Sequence, residues 1–175
     1  MKMPVSDLSF KPDLMVDVTE IDHRPVSISG TLDKSALADV KERFGFLAIE
    51  GVDISLRVKR IARDCWALTG LVKATITQAC VITGQGVIED LAIALEERFV
   101  PPHLAEAGDE LEIDIEADDI EWLDNGAIAV GEAVIQHIGV SASAYPRAPE
   151  APEEVSSGPV IETVHPFAAL SKLKK

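Results

Sequence analysis

Apolar residues recur with a period of two over most of the first hundred positions, interrupted once by a helical period. Positions 14–18 and 26–30 alternate as short strands on either side of an Asp22-His23-Arg24-Pro25 turn. Next, Leu37, Val40 and Phe44 fall on one helical face. Asp33 is placed to cap that helix and Gly45 to stop it, so the spacing predicts a helix over Lys34–Phe44. Beyond Phe46 and Ala48 the period returns to two. Val52, Ile54, Leu56 and Val58 alternate with polar partners, and Trp66, Leu68, Gly70, Val72, Ala74, Ile76 and Gln78 repeat the pattern. The Ala62-Arg63-Asp64 link and the Thr83-Gly84-Gln85-Gly86 turn connect these runs to a third over 87–99, which predicts an antiparallel meander of long strands.

Pro101-Pro102 ends the third run, because proline cannot continue a ladder and constrains the residue before it. Leu111, Ile113 and Ile115 then alternate with Glu112, Asp114 and Glu116, as in a strand with one wet face. Val130, Val134, Ile138 and Ala142 mark an amphipathic helix that stops before Tyr145-Pro146. Gly139 inside it costs about 1 kcal/mol of helix stability relative to Ala and predicts loose packing there. The expected fold is α+β, a mostly antiparallel sheet of long strands with two or three helices packed on it. Residues 1–147 form one domain, 148–160 read as a flexible linker rich in Pro, Glu and Ser, and 161–175 as a short amphipathic helical tail carrying Phe167, Leu170 and Leu173.

Composition agrees with one domain: 175 residues with 47% apolar content can bury one core. No stretch is long and apolar enough for a membrane span, and positions 1–7 run into acidic residues instead of an apolar leader, so a cytoplasmic protein with no membrane partner is expected. The net charge of −14 is unevenly spread. Ten acidic residues and no basic one lie in 106–124, whereas Arg57, Lys59, Arg60 and Arg63 lie together without an acid, and Lys172, Lys174 and Lys175 close the chain. A charge of that sign argues against sequence-independent binding along a phosphate backbone, which draws on many Lys and Arg contacts. Any nucleic-acid contact is expected to be local or to run through a protein.

Few residues offer chemistry. Cys65 and Cys80 are too few for a disulfide framework or a four-cysteine zinc site, and Thr83 stands where a C-x-x-C partner of Cys80 would be, so both read as packed residues. His23, His103, His137 and His165 are solitary. His137 falls on the apolar stripe of its helix, as a satisfied core histidine would. The acidic run from Asp114 resembles a calcium loop but has Asp119 where glycine is needed and Asn125 where glutamate is needed. Gly139-Val140-Ser141-Ala142-Ser143 lies in a helical pattern, where a nucleophile elbow requires a preceding strand, and Gly84-Gln85-Gly86 lacks the rest of a phosphate loop. No catalytic, cofactor or metal site is assigned, and the protein is read as non-enzymatic. The candidate contact residues for RNA or a partner are Arg57, Lys59, Arg60, Arg63, Tyr145, Arg147, Phe167, Lys172 and Lys174. For the basic strand the plainer alternative is pairing with the acidic strand.

Trp66-Ala67-Leu68-Thr69-Gly70 running to Gln78-Ala79-Cys80-Val81-Ile82-Thr83, then Glu97-Arg98-Phe99-Val100-Pro101, Gly131-Glu132-Ala133-Val134, Tyr145-Pro146-Arg147 and Pro166-Phe167-Ala168-Ala169-Leu170 form an ordered series. In order and spacing it resembles the YceD family, the large ribosomal RNA subunit accumulation proteins, in their alphaproteobacterial form. The resemblance implies a ribosome biogenesis factor needed for accumulation of large-subunit (23S) ribosomal RNA, with a large-subunit precursor or one of its protein factors as partner. Many relatives have C-x-x-C where this chain has Cys80 and Thr83, so a metal or redox role tied to that pair does not carry over. Two other functions stay open on the residues alone: a small hydrolase or isomerase using the acids of 106–124, and a stand-alone RNA-binding module.

Overall fold

The computed structural model describes residues 8–21, 24–105 and 120–152. Among them, eight strands and two helices follow in the order β1 (Leu8–Ser9), β2 (Met15–Asp17), β3 (Val26–Thr31), α1 (Lys34–Phe44), β4 (Ala48–Ala62), β5 (Cys65–Ala79), β6 (Gly86–Val100), β7 (Ile120–Trp122), β8 (Ala127–Ala129) and α2 (Val130–Ser141). The fold is α+β and its main sheet is mostly antiparallel, as expected. The strand at 111–116, most of the linker and the tail at 161–175 lie outside the described residues.

Local chemistry sets the ends of α1. The Asp33 carboxylate accepts the N–H of Ala36 at 2.8 Å, satisfying a donor that the first helical turn leaves over, and the hydroxyl of Ser35 bonds the same oxygen. Those bonds, led by the one from Ala36, lower the pKa of Asp33. Gly45 ends the helix in the left-handed conformation at φ 68°, with its N–H returned to the carbonyls of Lys41 and Glu42.

The three central strands are fifteen residues each and run in the predicted meander. A two-residue turn at Arg63-Asp64 joins β4 to β5, and Gly84, at φ 73°, lies in the turn that joins β5 to β6. The full order is β1-β3-β4-β5-β6-β7, with β1 parallel to β3 and β7 parallel to the last three residues of β6. The strand at 15–17 does not enter this sheet. It pairs with β8 instead, Met15 to Asp17 lying opposite Ala129 to Ala127 in a separate ribbon. Just before β8, Asn125 and Gly126 both have positive φ and form a tight turn in which Asp124 and Ala127 exchange hydrogen bonds of 2.9 Å.

Period two gives the sheet one buried face. Val52, Ile54, Leu56 and Val58 of β4, Leu68, Val72 and Ile76 of β5, and Leu91, Ile93 and Leu95 of β6 form the core with Val40 of α1 and Val130, Val134 and Ile138 of α2. At Gly70 the two central strands come together closely. Its φ is 151°, and a Cβ there would stand 2.8 Å from the Cα of Leu56.

The expected looseness around Gly139 is not found. Ile138 beside it is fully buried, and the ring of Phe44 fills the space the glycine leaves. Phe44 in turn lies 5.6 Å from the ring of Phe46, centroid to centroid.

Candidate functional site

The second face of the sheet carries no described element. Its residues mix hydroxyls such as Ser27, Ser29, Ser55, Thr69 and Thr75 with charges such as Asp53, Arg57, Lys59, Lys73 and Asp90, and register fixes their rows. Ser27, Arg57, Thr69 and Glu96 lie across four strands in one row, and Ser29, Ser55, Leu71 and Ala94 in the next. Where these rows meet, Ser27, Ser29, Ser55, Arg57, Thr69 and Gly70 line a shallow depression of about 420 Å³.

Arg57 and Lys59 project from the same face of β4, both exposed, as the period-two reading requires. Neither makes an ion pair or hydrogen bond with a described residue. One row further along, Lys59 lies opposite Ala67 and Ala67 opposite Arg98, which extends the basic end of the face across three strands. A guanidinium among four hydroxyls is a donor-rich arrangement suited to the oxygens of a phosphate group. β3 and β5 occupy both edges of β4 in the ladder; the plainer alternative, pairing of this basic face with the acidic strand at 111–116, falls on residues outside the described ones.

The remaining candidates do not join this cluster. Arg60 is used by its own hairpin: its Nε donates to the carbonyls of Ala62 at 3.1 Å and Arg63 at 2.9 Å, its Nη2 also donates to the Arg63 carbonyl, and its guanidinium lies 5.7 Å from the centre of the Trp66 ring. Arg63 stands at the tip of the turn, 94% exposed, with Asp64 as a distant neighbour at 3.9 Å.

Tyr145 and Arg147 belong to the other end of the sheet, roughly 35 Å from Thr69 along β5 at about 3.3 Å per residue. Tyr145 is solvent-exposed, and Arg147 donates to the carbonyl of Pro152 at 2.8 Å. Phe167, Lys172 and Lys174 lie outside the described residues. So do the acids of 106–119, while Glu121 and Asp124 are exposed.

The segment after α2 is strapped to the β5–β6 turn around Cys80. Val81 donates to the carbonyl of Pro146 at 2.9 Å, Gln78 to that of Ser143 at 3.2 Å, and Ser143 to the Glu89 carboxylate at 3.1 Å. The sulfur of Cys80 accepts the N–H of Ala148 at 3.3 Å and that of Thr83 at 3.5 Å. These bonds, led by the one from Ala148, lower the thiol pKa from 9.0 to about 6. Cys80 is covered, at 3% exposure, but it stands at the tip of the sheet, and desolvation opposes the shift only weakly. Cys65 opens the same strand and is buried at the opposite end. The two thiols are therefore far apart, and each is a packed residue.

Two pairs link α2 to the rest of the molecule. Arg43 at the end of α1 makes a bidentate contact with Glu132, at 2.6 and 2.8 Å. His137 is bonded to Glu97 of β6 at 2.8 Å, the satisfied partner its place on the apolar stripe called for. Neither pairing is legible in the sequence, because the partners stand 89 and 40 residues apart along the chain. Among the described residues no group of His, Cys, Asp and Glu is placed to hold a metal ion, and no helix is long and apolar enough to cross a membrane. Comparison of the chain with protein-family models, with curated proteins and with solved structures finds no match in any of the three.

Proposed function

We propose that this protein is a non-catalytic ribosome biogenesis factor, needed for accumulation of large-subunit ribosomal RNA, that binds a large-subunit assembly intermediate or one of its protein factors through the open face of its sheet. The observation that carries the reading is Arg57 set among Ser27, Ser29, Ser55 and Thr69 with no partner for its charge among the described residues. Solvated strand faces usually pair their cations with nearby acids. Here the neighbours are hydroxyls, which add phosphate ligands without competing for the guanidinium.

The ordered segments that resemble the YceD proteins point the same way and supply the ribosomal context. A net charge of −14 limits such contact to one or a few phosphates, since a long backbone track would be repelled. Deleting the gene and measuring the ratio of large-subunit to small-subunit ribosomal RNA tests the reading. The ratio falls in the deletion strain and recovers with the intact gene. A ratio unchanged by deletion overturns the proposal.

A further inference from the structure

Among the described residues, the outer strand of the meander is open along most of one edge. β7 pairs with β6 only at Arg98, Phe99 and Val100, so among the described residues no strand pairs with β6 over 86–97 on the side away from β5. An edge of that length presents a row of backbone donors and acceptors, and proteins commonly protect such edges with charge, proline or a bulge. This one has no proline. Its centre, Leu91-Ala92-Ile93-Ala94-Leu95, is uncharged, and β5 and β6 pair without a register shift along their whole length.

Asp90 and Glu96 flank that centre on the open face. Between them, Ala92 and Ala94 leave the face flat, and Ile88 beyond Asp90 is 72% exposed. On the opposite face, Leu91 and Ile93 stand at the rim of the core, where apolar side chains from an added strand would extend it.

We infer that the free edge of β6 receives an extended strand from a basic protein partner, one with an apolar centre and Lys or Arg on either side. Strand addition of this kind takes its affinity from main-chain hydrogen bonds and its selectivity from alternate side chains. Charge selects the occupant. A second copy of this chain, added antiparallel about Ile93, would place Asp90 opposite Glu96 of the second copy at both ends, and like charges directly opposite are destabilising. Basic flanks meet the same two carboxylates favourably. Asp90 and Glu96 are set evenly about Ile93, so either strand direction satisfies the charges. The inference rests on the edge of the sheet and is independent of the ribosomal reading.

The probe is a synthetic nine-residue peptide (~9 residues, one for each position of 89–97) with an alternating Val/Thr centre and two lysines at each end, which come opposite Glu89-Asp90 and Glu96-Glu97, titrated into the full chain while amide hydrogen exchange is followed. Binding protects alternate β6 amides over 89–97. It weakens by about tenfold in an Asp90→Lys, Glu96→Lys double variant, which exchanges attraction for repulsion at two exposed sites. That variant gains affinity for a peptide carrying glutamates in place of the lysines. N-methylation of alternate peptide amides abolishes binding while leaving side chains and charge unchanged.

Four results overturn the inference: no protection of β6 by the lysine peptide, equal binding to the double variant, binding that survives N-methylation, or β6 amides already protected in the free chain. The last would mean that another part of the chain or a second copy holds the edge. Measuring the chain's mass in solution tells those two apart.

Discussion

The ring of Phe44 occupies the space a side chain at position 139 would take: a Cβ built on Gly139 would stand 2.7 Å from Phe44 Cδ1. The end of α1 and the last turns of α2 meet at this point. Alanine in place of Gly139 improves helix propensity by about 1 kcal/mol, whereas overpacking a fitted contact costs about 1–3 kcal/mol. Because Phe44 is only half-buried and the close atoms lie toward the far end of its ring, the cost falls in the lower part of that range. Gly139→Ala therefore lowers the urea midpoint slightly or leaves it level, and adding Phe44→Leu to it raises the midpoint above that of Phe44→Leu alone. A substantial rise with Phe44 intact would show that the ring does not constrain this position.

The ion pair between Arg43 and Glu132 governs part of the acid response. The Arg43 guanidinium, with help from Gln136, holds the Glu132 carboxyl down from 4.5 to about 2. A depressed carboxyl stabilises the fold above its unfolded pKa, and that contribution disappears as pH falls from about 4.5 to about 2. Solvent reaches nearly half of both side chains, at 45% and 43%, so screening keeps the pair below about 1 kcal/mol. Glu132→Gln should lower stability at pH 7 by less than about 1 kcal/mol, flatten the profile between pH 4.5 and 2, and match the native chain at the acid end.

Cys80 acts on the alkaline side. Its thiol titrates at about 6 in the fold against 9.0 as the reference, so between those values the unfolded chain carries a proton that the folded chain does not. Stability consequently rises with pH through that window and is flat above it. Cys80→Ala removes the rise. Ultraviolet absorbance of the thiolate, followed against pH in the native protein, locates the transition directly. A midpoint near 9.0 would show that the bonds from Ala148 and Thr83 do not select the thiolate.

If Arg57 and Lys59 each meet a phosphate, replacing both with Ala lowers the slope of log affinity against log salt by about 1.4 for single-stranded RNA. The comparison is made on transcripts of large-subunit ribosomal RNA. Arg60→Ala gives a control with a different signature: its side chain serves the hairpin and Trp66, so it reduces stability and leaves the salt slope unchanged. A slope that is the same for the double variant and the native chain removes these two residues from the interface.

What could be read from the residues alone divides along the range of the interactions. Asp33 and Gly45 mark the ends of α1 because capping involves neighbours three or four positions away. The long alternating runs likewise disclose the three central strands and place Arg57 and Lys59 on one face. Pairing between distant segments leaves no such trace. The parallel contacts of β1 and β7, the ribbon of β2 with β8, and the seat of Phe44 against Gly139 depend on the assembled sheet. So does the candidate site, for Ser27, Ser55 and Thr69 surround Arg57 only once three strands are in register. The Asn125-Gly126 turn is an intermediate case: the dipeptide favours a hairpin turn, but the three-residue strand that follows it is too short to show a period.

The strap around Cys80 also has a mechanical consequence. The chain leaves the described structure at Pro152, beyond the hydrogen bonds that Ala148, Pro146 and Ser143 make to the tip of the β5–β6 hairpin. A pull applied at Pro152 is borne first by those bonds, one after another, and reaches α2 only when they have parted. The core is thereby insulated from tension at that point, and the load falls on the end of the sheet farthest from Arg57.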